Sequence, residues 1–481
     1  MKKIISILLA LIMCSTLLSL ASCGGSKTGQ TGTYTEDETE GEVIEEDGED
    51  GPNVDGDGNT TSDKASSNNN GGSGSGKKVD KNEEQFFLNV PSELKGTTVK
   101  FATWIDHKSC DYSHVFSDFT KLTGINVEIV PVTQSDYIVK LSGMKAAGTA
   151  PDVIVENEGN FPRTLALLQP ITEAATGINV KDAFWDQNVT KLYTINGKCY
   201  AINGNNSSWQ MASPLVYYNI PLLKKYGIKN PNSYVKENNW TLETFFKCME
   251  DCRKAGIATG GEIDLTVYSH IYGGGPYHYD AATAKYSNTM GTQRFKNMWA
   301  QLTTYSEKGV VKLTNSWASS LTSGNTGIVF TGAYGLRKQP GWFYQMDSDD
   351  IGYAYPPKEK ASDANYPTST MTRAYCIAAG AKNPKGAGYF LRYFLNDDWY
   401  GDDEIFKDSR AREMHYSLQK MKNFSSPIID GVIKTQYDDY KAFYNELATS
   451  TPAQVNTNIE KVSQKMDYCI KKANALIDAA R

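Results

Sequence analysis

The chain has 481 residues, 40% of them hydrophobic, and its 49 Lys and Arg against 55 Asp and Glu set a formal charge of −6. The acidity is local: residues 24–85 hold 16 acids and 5 bases, while residues 86–481 hold 39 acids and 42 bases. A near-neutral folded part without a long basic stripe excludes nucleic acid as a partner; its length, about 396 residues, exceeds what one hydrophobic core supports and predicts two lobes.

Lys2 and Lys3 stand ahead of an apolar run from Ile4 to Leu20 with small residues at its exit, the parts of a secretory signal. Leu20-Ala21-Ser22-Cys23 resembles the signal of bacterial lipoproteins. The resemblance implies that residues 1–22 are a signal peptide removed ahead of Cys23. It also implies diacylglycerol on the Cys23 sulfur and a further acyl chain, such as palmitate, on the new amine. Two or more chains hold a bilayer firmly where one binds marginally. A plain signal or an uncleaved anchor helix is the alternative, and the run from Ile4 to Leu20 is at the short end for spanning.

Residues 23–85 then read as a lipid-anchored, disordered linker. The acidic clusters Glu36–Glu42 and Glu45–Asp50 and the Ser, Asn and Gly run Ser67–Gly76 offer almost nothing apolar to bury, so ordering entropy is not offset. A coil of this length spans about 45 Å, and like charges extend it further. Two mimics fail on inspection. Gly71-x4-Gly76-Lys77 has Lys78 where a phosphate-cradling loop needs Ser or Thr, and Asp55-Gly56-Asp57 has Thr60 where a calcium loop needs its turn glycine.

From residue 86 onward strands and helices alternate. Thr98–Ala102 predicts a strand, Tyr112–Leu122 a helix stopped by Thr123-Gly124, Ile125–Val130 a strand, Asp136–Ala147 a helix and Asp152–Val155 a strand. That order implies a mostly parallel sheet covered by helices, with ligands gathering at the carboxyl ends of the strands. Thr241 reads as an N-cap with Trp240 folding back on Phe245. Gly327–Gly332 and Ala374–Ala379 predict buried strands and Pro384–Asn396 a helix. Cys110, Cys199, Cys248, Cys252, Cys376 and Cys469 permit disulfides outside the cell, yet a large domain needs no such staples, and they read as small buried thiols.

The ordered set Thr123-Gly124-Ile125-Asn126-Val127-Glu128, Gly148-Thr149-Ala150-Pro151-Asp152-Val153-Ile154, Leu168-Gln169-Pro170-Ile171, Gly197-Lys198-Cys199-Tyr200-Ala201-Ile202, Tyr218-Asn219, Asn239-Trp240-Thr241, Ser323-Gly324-Asn325-Thr326-Gly327-Ile328, Thr331-Gly332-Ala333-Tyr334 and Asn383-Pro384-Lys385-Gly386-Ala387 resembles the extracellular solute-binding proteins of bacterial ABC importers, in the sugar-binding group that includes maltose-binding protein. The resemblance covers about residues 97 to 400. It implies an α/β, two-lobed periplasmic-binding-protein-like fold with a hinge and an inter-lobe ligand cleft. Lobe 1 would hold about 97–214 and 353–410, and lobe 2 about 215–352 and 411–481. The implied partners are a carbohydrate ligand, the permease subunits of an ABC importer and the membrane through the lipid anchor, for a monomer at the extracellular face. A binding protein needs no nucleophile, metal or cofactor.

Candidate ligand residues follow from position. Trp104 and Asp106 come after the first strand, and Glu156, Asn157 and Glu158 after the third, where a tryptophan face and carboxylates suit a pyranose. The alternative for these is loop polarity and a core Trp. Tyr334 stands where many family members place a stacking Trp. Trp209 lies in a polar loop near the first crossing between lobes, and Tyr272, Tyr277 and Tyr279 flank Gly273-Gly274-Gly275 as a flexible lid or a plain surface loop. Arg373 either holds a carboxylate, as an acidic sugar would offer, or pairs with a domain acid. Two other classes compete: a surface glycan-adhesion protein without an importer, and a secreted glycan-active enzyme with Glu156 and Glu158 as its acids. The second lacks carboxylates facing each other across a bond.

Overall fold

A computed structural model describes residues 80–156, 159–209, 214–314, 319–338, 341–368, 373–400, 405–421, 431–436 and 440–480. The signal, Cys23, most of the linker, Asn157, Glu158 and residues 370–372 lie outside the described residues. The described part belongs to one compact unit.

It begins earlier than residue 86. Helix α1 (Lys81–Leu88) starts on the Asp80 carboxylate, which accepts from Asn82 N–H. Phe87 is buried, and Glu83 forms an ion pair with Arg392. The linker expectation through Gln85 therefore overran by one turn, because Phe86 and Phe87 supply an apolar face and Glu83 a partner that the preceding acidic segment does not have.

Strands β1 (Thr98–Thr103), β2 (Asn126–Pro131) and β3 (Val153–Glu156) run parallel, joined through α2 (His114–Thr123) and α3 (Tyr137–Ala146), as the alternation predicts. Helix α2 ends at Gly124, whose φ of 75° is the left-handed region that favours glycine. The short β4 (Leu168–Gln169) closes one edge, and β5 (Thr194–Ile195) pairs with β6 (Lys198–Cys199) as a separate small hairpin. A second sheet holds β7 (Leu215–Asn219) and β8 (Thr259–Asp264), with α4 (Leu242–Lys254) between them. Thr241 caps α4 in a capping box, and the Trp240 ring meets Phe245 edge-on at 5.8 Å, as the sequence predicts.

After β8 come α5 (Leu265–Tyr272), a hairpin of β9 (Tyr277–Asp280) and β10 (Lys285–Asn288), then β11 (Val311–Thr314), β12 (Thr326–Thr331) and β13 (Ile351–Ala354). The stretch read as a lid is thus the start of a hairpin: Tyr277 and Tyr279 are buried while His278 is exposed, a strand's two-residue period. Strand β14 (Ala374–Ala378) and α6 (Pro384–Phe394) follow.

The first sheet has the order β2-β1-β3-β14-β4 and the second β11-β8-β12-β7-β13. In the first, β14 runs antiparallel to both of its neighbours, and in the second β7 does so. These are the strands that the chain forms first on arriving from the other sheet. Their amino ends therefore lie at the carboxyl edges of the other strands: Ala374 pairs with Glu156, and Leu215 pairs with Thr331. Both crossings consequently pass along the edges where a ligand is expected. All of β13 belongs to the second sheet, so the chain leaves that sheet after Ala354.

Side-chain alternation splits the apolar residues into two cores. Val99, Phe101, Val153, Val155, Tyr375 and Ile377 of the first sheet share one with Leu215, Tyr217, Val329 and Tyr353 of the second. Ala102, Ile154 and Cys376 share the other with Val216, Tyr218, Ile328 and Phe330. All six described cysteines are buried thiols. Burial, as the largest cause, raises Cys199 to about 11 and Cys248 to about 12.

Candidate functional site

At the carboxyl edge of the first sheet, Trp104 follows β1, Glu156 ends β3 and Arg373 precedes β14. At the corresponding edge of the second sheet, β12 leads through Gly332 into a short turn bearing Tyr334 and Arg337, and the Tyr217 hydroxyl donates to the Gly332 carbonyl at 2.9 Å. Trp104, Tyr334 and Arg373 converge. The Arg373 guanidinium carbon is 5.6 Å from the centre of the Trp104 ring and 5.6 Å from that of Tyr334. Tyr137 meets Trp104 edge-on at 5.2 Å, and Trp342 backs Tyr334 at 5.5 Å. A cation between two ring faces gains electrostatically from both.

Arg373 is 7% exposed, and its backbone carbonyl is held by Asn203 Nδ2 at 2.7 Å. Its Nε and Nη1 are buried and meet no hydrogen-bond partner among the described residues. Arg337, 5% exposed, is placed differently. Its Nη2 donates to the Ser208 carbonyl at 3.1 Å and to the Ser208 hydroxyl at 3.0 Å, and its guanidinium lies 4.1 Å above the Trp209 ring. Ser208 N–H in turn binds both Asp397 oxygens at 2.8 and 2.9 Å, and Tyr416 OH donates to the same carboxylate at 2.9 Å. Arg337 thus has neutral partners next to a buried acid.

His107 lies beneath this pair, 1% exposed, with Nδ1 3.0 Å from Tyr112 OH and Nε2 3.4 Å from Thr103 Oγ1. Burial, then the charges of Arg373 and Arg337, lower its pKa from 6.5 to about 3, so the imidazole is neutral. Burial also raises the Tyr375 phenol, against the pull of the same two cations and of a hydrogen bond from the Arg373 side chain.

The remaining sequence candidates sit apart from this cluster or serve the fold. The Asp106 carboxylate is exposed and caps the turn His107–Ser109 through Lys108 N–H at 3.1 Å. Glu156 is fully buried and accepts from the Thr164 hydroxyl. It pairs with Ala374 in register. Trp209 is 1% exposed, stacks on Phe394 at 5.1 Å, donates Nε1 to Tyr400 OH at 3.1 Å and carries Arg337 on its ring. Its faces and its N–H are therefore occupied by protein. The Tyr272 hydroxyl donates to the Pro357 carbonyl at 2.7 Å.

Sequence reasoning missed Arg337 and Trp342. The spacing Tyr334-x-x-Arg337 on one turn was the available signal. A groove of about 350 Å³ at the seam, lined by Gln187, Thr190, Lys191 and Asn196 with the turn Ala281–Ala284 of the β9–β10 hairpin, has no aromatic side chain. It lacks the flat apolar face on which a sugar ring stacks. No group of three His, Cys, Asp or Glu among the described residues is arranged to hold a metal, and no described helix is long and apolar enough to cross a membrane.

Two sheets joined by antiparallel crossing strands, with aromatic and charged side chains gathered where their carboxyl edges face each other, define a two-lobed binding protein. Residues 114–402 match the model of the bacterial extracellular solute-binding proteins, and the chain belongs to that family, whose members are binding proteins and not enzymes. Solved structures with the same fold include the galacto-N-biose/lacto-N-biose I-binding protein of the ABC transporter from Bifidobacterium longum, in complex with lacto-N-biose. It has a TM-score of 0.59 and 14% identity, over 79% of this chain and 98% of that one. The GacH receptor of Streptomyces glaucescens, solved unliganded and with acarbose, has a TM-score of 0.58 and 15% identity over 77% and 98%. An extracellular solute-binding protein from Staphylococcus aureus in complex with maltose has 0.54 and 15% over 78% and 96%. No curated protein sequence matches the chain.

Proposed function

We propose that this chain captures a sugar or oligosaccharide between its lobes and delivers it to the permease of an ABC importer. In this reading it works at the outer face of the membrane as a monomer, held there by acyl chains on Cys23 and a tether of acidic residues. Extracellular solute-binding membership supports the role, and sugars in the solved structures of like fold support the solute class. The observation that carries the reading is the convergence of Trp104 and Arg373 from one sheet edge with Tyr334 from the other.

The mechanism is differential binding. A solute that touches Trp104 and Arg373 on one lobe and Tyr334 on the other favours closure, because only the closed form covers its apolar faces and satisfies its hydroxyls from both sides. The permease then reads closure as the loaded state, and no covalent bond changes. The full chain, solubilised in detergent, is to be screened against mono- and oligosaccharides by thermal shift and tryptophan fluorescence. A ligand bound only by the native form raises the melting temperature with concentration and is recovered intact; failure of every sugar to bind, or release of a cleaved product, overturns the reading. Cys23→Ser is expected to move the protein from the membrane fraction to the medium without changing sugar affinity.

A further inference from the structure

We infer that the solute carries a carboxylate, as a uronic acid or another sugar acid does, and that Arg373 binds it between the Trp104 and Tyr334 rings. This rests on the sugar-binding reading above and narrows it. A guanidinium has five donors and is always charged, and burying it without partners is costly. Arg373 is only 7% exposed, yet Nε on one edge of its planar group and Nη1 on the other are unmet among the described residues. Neither forked edge is therefore fully used by the protein.

The contrast with Arg337 sets the charge of the missing partner. Arg337 donates twice to Ser208, and the Asp397 carboxylate sits on the far side of that same serine. One buried cation is thus offset by one buried anion. Arg373 forms no ion pair among the described residues, and the Glu156 carboxylate, nearest in register, accepts from the Thr164 hydroxyl. Neutral His107 adds no counter-charge. A single excess cation calls for a single negative charge, and a planar carboxylate fits a guanidinium edge with two parallel hydrogen bonds. The two rings, each 5.6 Å from the guanidinium carbon and both half-buried, border the place of this carboxylate. A dianionic phosphate would bring a second negative charge that only Arg337, already bonded, stands near enough to offset.

The test uses the full chain in detergent and matched pairs of glycans: oligogalacturonides against neutral galacto-oligosaccharides of equal length, and glucuronate-bearing against unbranched xylo-oligosaccharides. At least one uronate is expected to bind roughly 10- to 100-fold tighter than its neutral match, the range of a charged hydrogen-bonded contact. Arg373→Gln should abolish that preference, and Arg373→Lys should restore part of it, which a merely folding-related loss would not do. Wild-type protein that binds a neutral glycan as tightly as every uronate overturns this inference and leaves sugar capture standing. Binding of no glycan of either kind overturns both. Equal affinity for sulfated and carboxylated glycans overturns the choice of a carboxylate.

Discussion

Arg337 and Arg373 flank the same tyrosine, 5.9 and 5.6 Å from the Tyr334 ring centre, and both are almost fully buried. One follows β12 and is anchored: its Nη2 reaches Ser208, its charge faces Asp397 through that serine, and Trp209 lies against its face. The other belongs to the edge of the first sheet and is unfinished, with two buried donors unmet among the described residues. The difference teaches that burial of a charge does not by itself indicate function. A structural arginine is recognised by its completed bonds, and a ligand-holding one by the bonds that the protein leaves for something else.

The contrast can be broken most severely at Trp209. Trp209→Ala removes the ring under Arg337 and a fully buried core residue, and should lower unfolding stability by about 3–5 kcal/mol, read by urea denaturation. A loss below about 1 kcal/mol would show that the ring is not part of the core.

The two arginines should then separate under the same substitution. Arg337→Met leaves the Ser208 carbonyl and hydroxyl without their donor and is expected to cost about 1.5–3 kcal/mol. Arg373→Met removes two unmet donors along with its ring contacts and should cost the ligand-free protein less, under about 1 kcal/mol. Equal losses at both positions would erase the distinction. Sugar binding, by contrast, should weaken at Arg373 and not through Arg337.

The smallest change at any one step is with pH. His107 has its folded pKa lowered from 6.5 to about 3. Between those values the unfolded chain takes up a proton that the folded one refuses. Its contribution is therefore complete above pH 6.5 and declines as pH falls, by about 1.4 kcal/mol per pH unit, until about pH 3. His107→Gln should flatten that part of the stability profile. Arg373→Met should flatten it in part, because its charge is the second cause of the lowered value.

Much of the fold was legible because it rests on local periodicity. The β1–α2–β2–α3–β3 order, the Thr241 cap with its Trp240 staple and the β12 and β14 strands all follow from side-chain spacing and breakers within a few residues. The aromatic stretch after Gly275 misled for the same reason. Three adjacent glycines suggested a loop, while the Tyr-His-Tyr alternation that follows is a strand's, with its partner in β10. Trp209 misled because its polar neighbours look solvated. They are instead consumed by Asp397, Arg337 and Gln419 from distant parts of the chain.

Trp104, Tyr334 and Arg373 could each be singled out along the chain, from strand ends and from the resemblance of the surrounding motifs. Their meeting could not. Side-chain type and spacing determine which segments become strands and which residues stand at their carboxyl ends, because those rules act over a few bonds. Which of two buried arginines lacks a partner depends on serine, aspartate and tryptophan side chains brought in from up to about two hundred residues away. Only the packing of two sheets and their crossing strands decides that, since it sets which donors meet an acceptor and which are left for a solute.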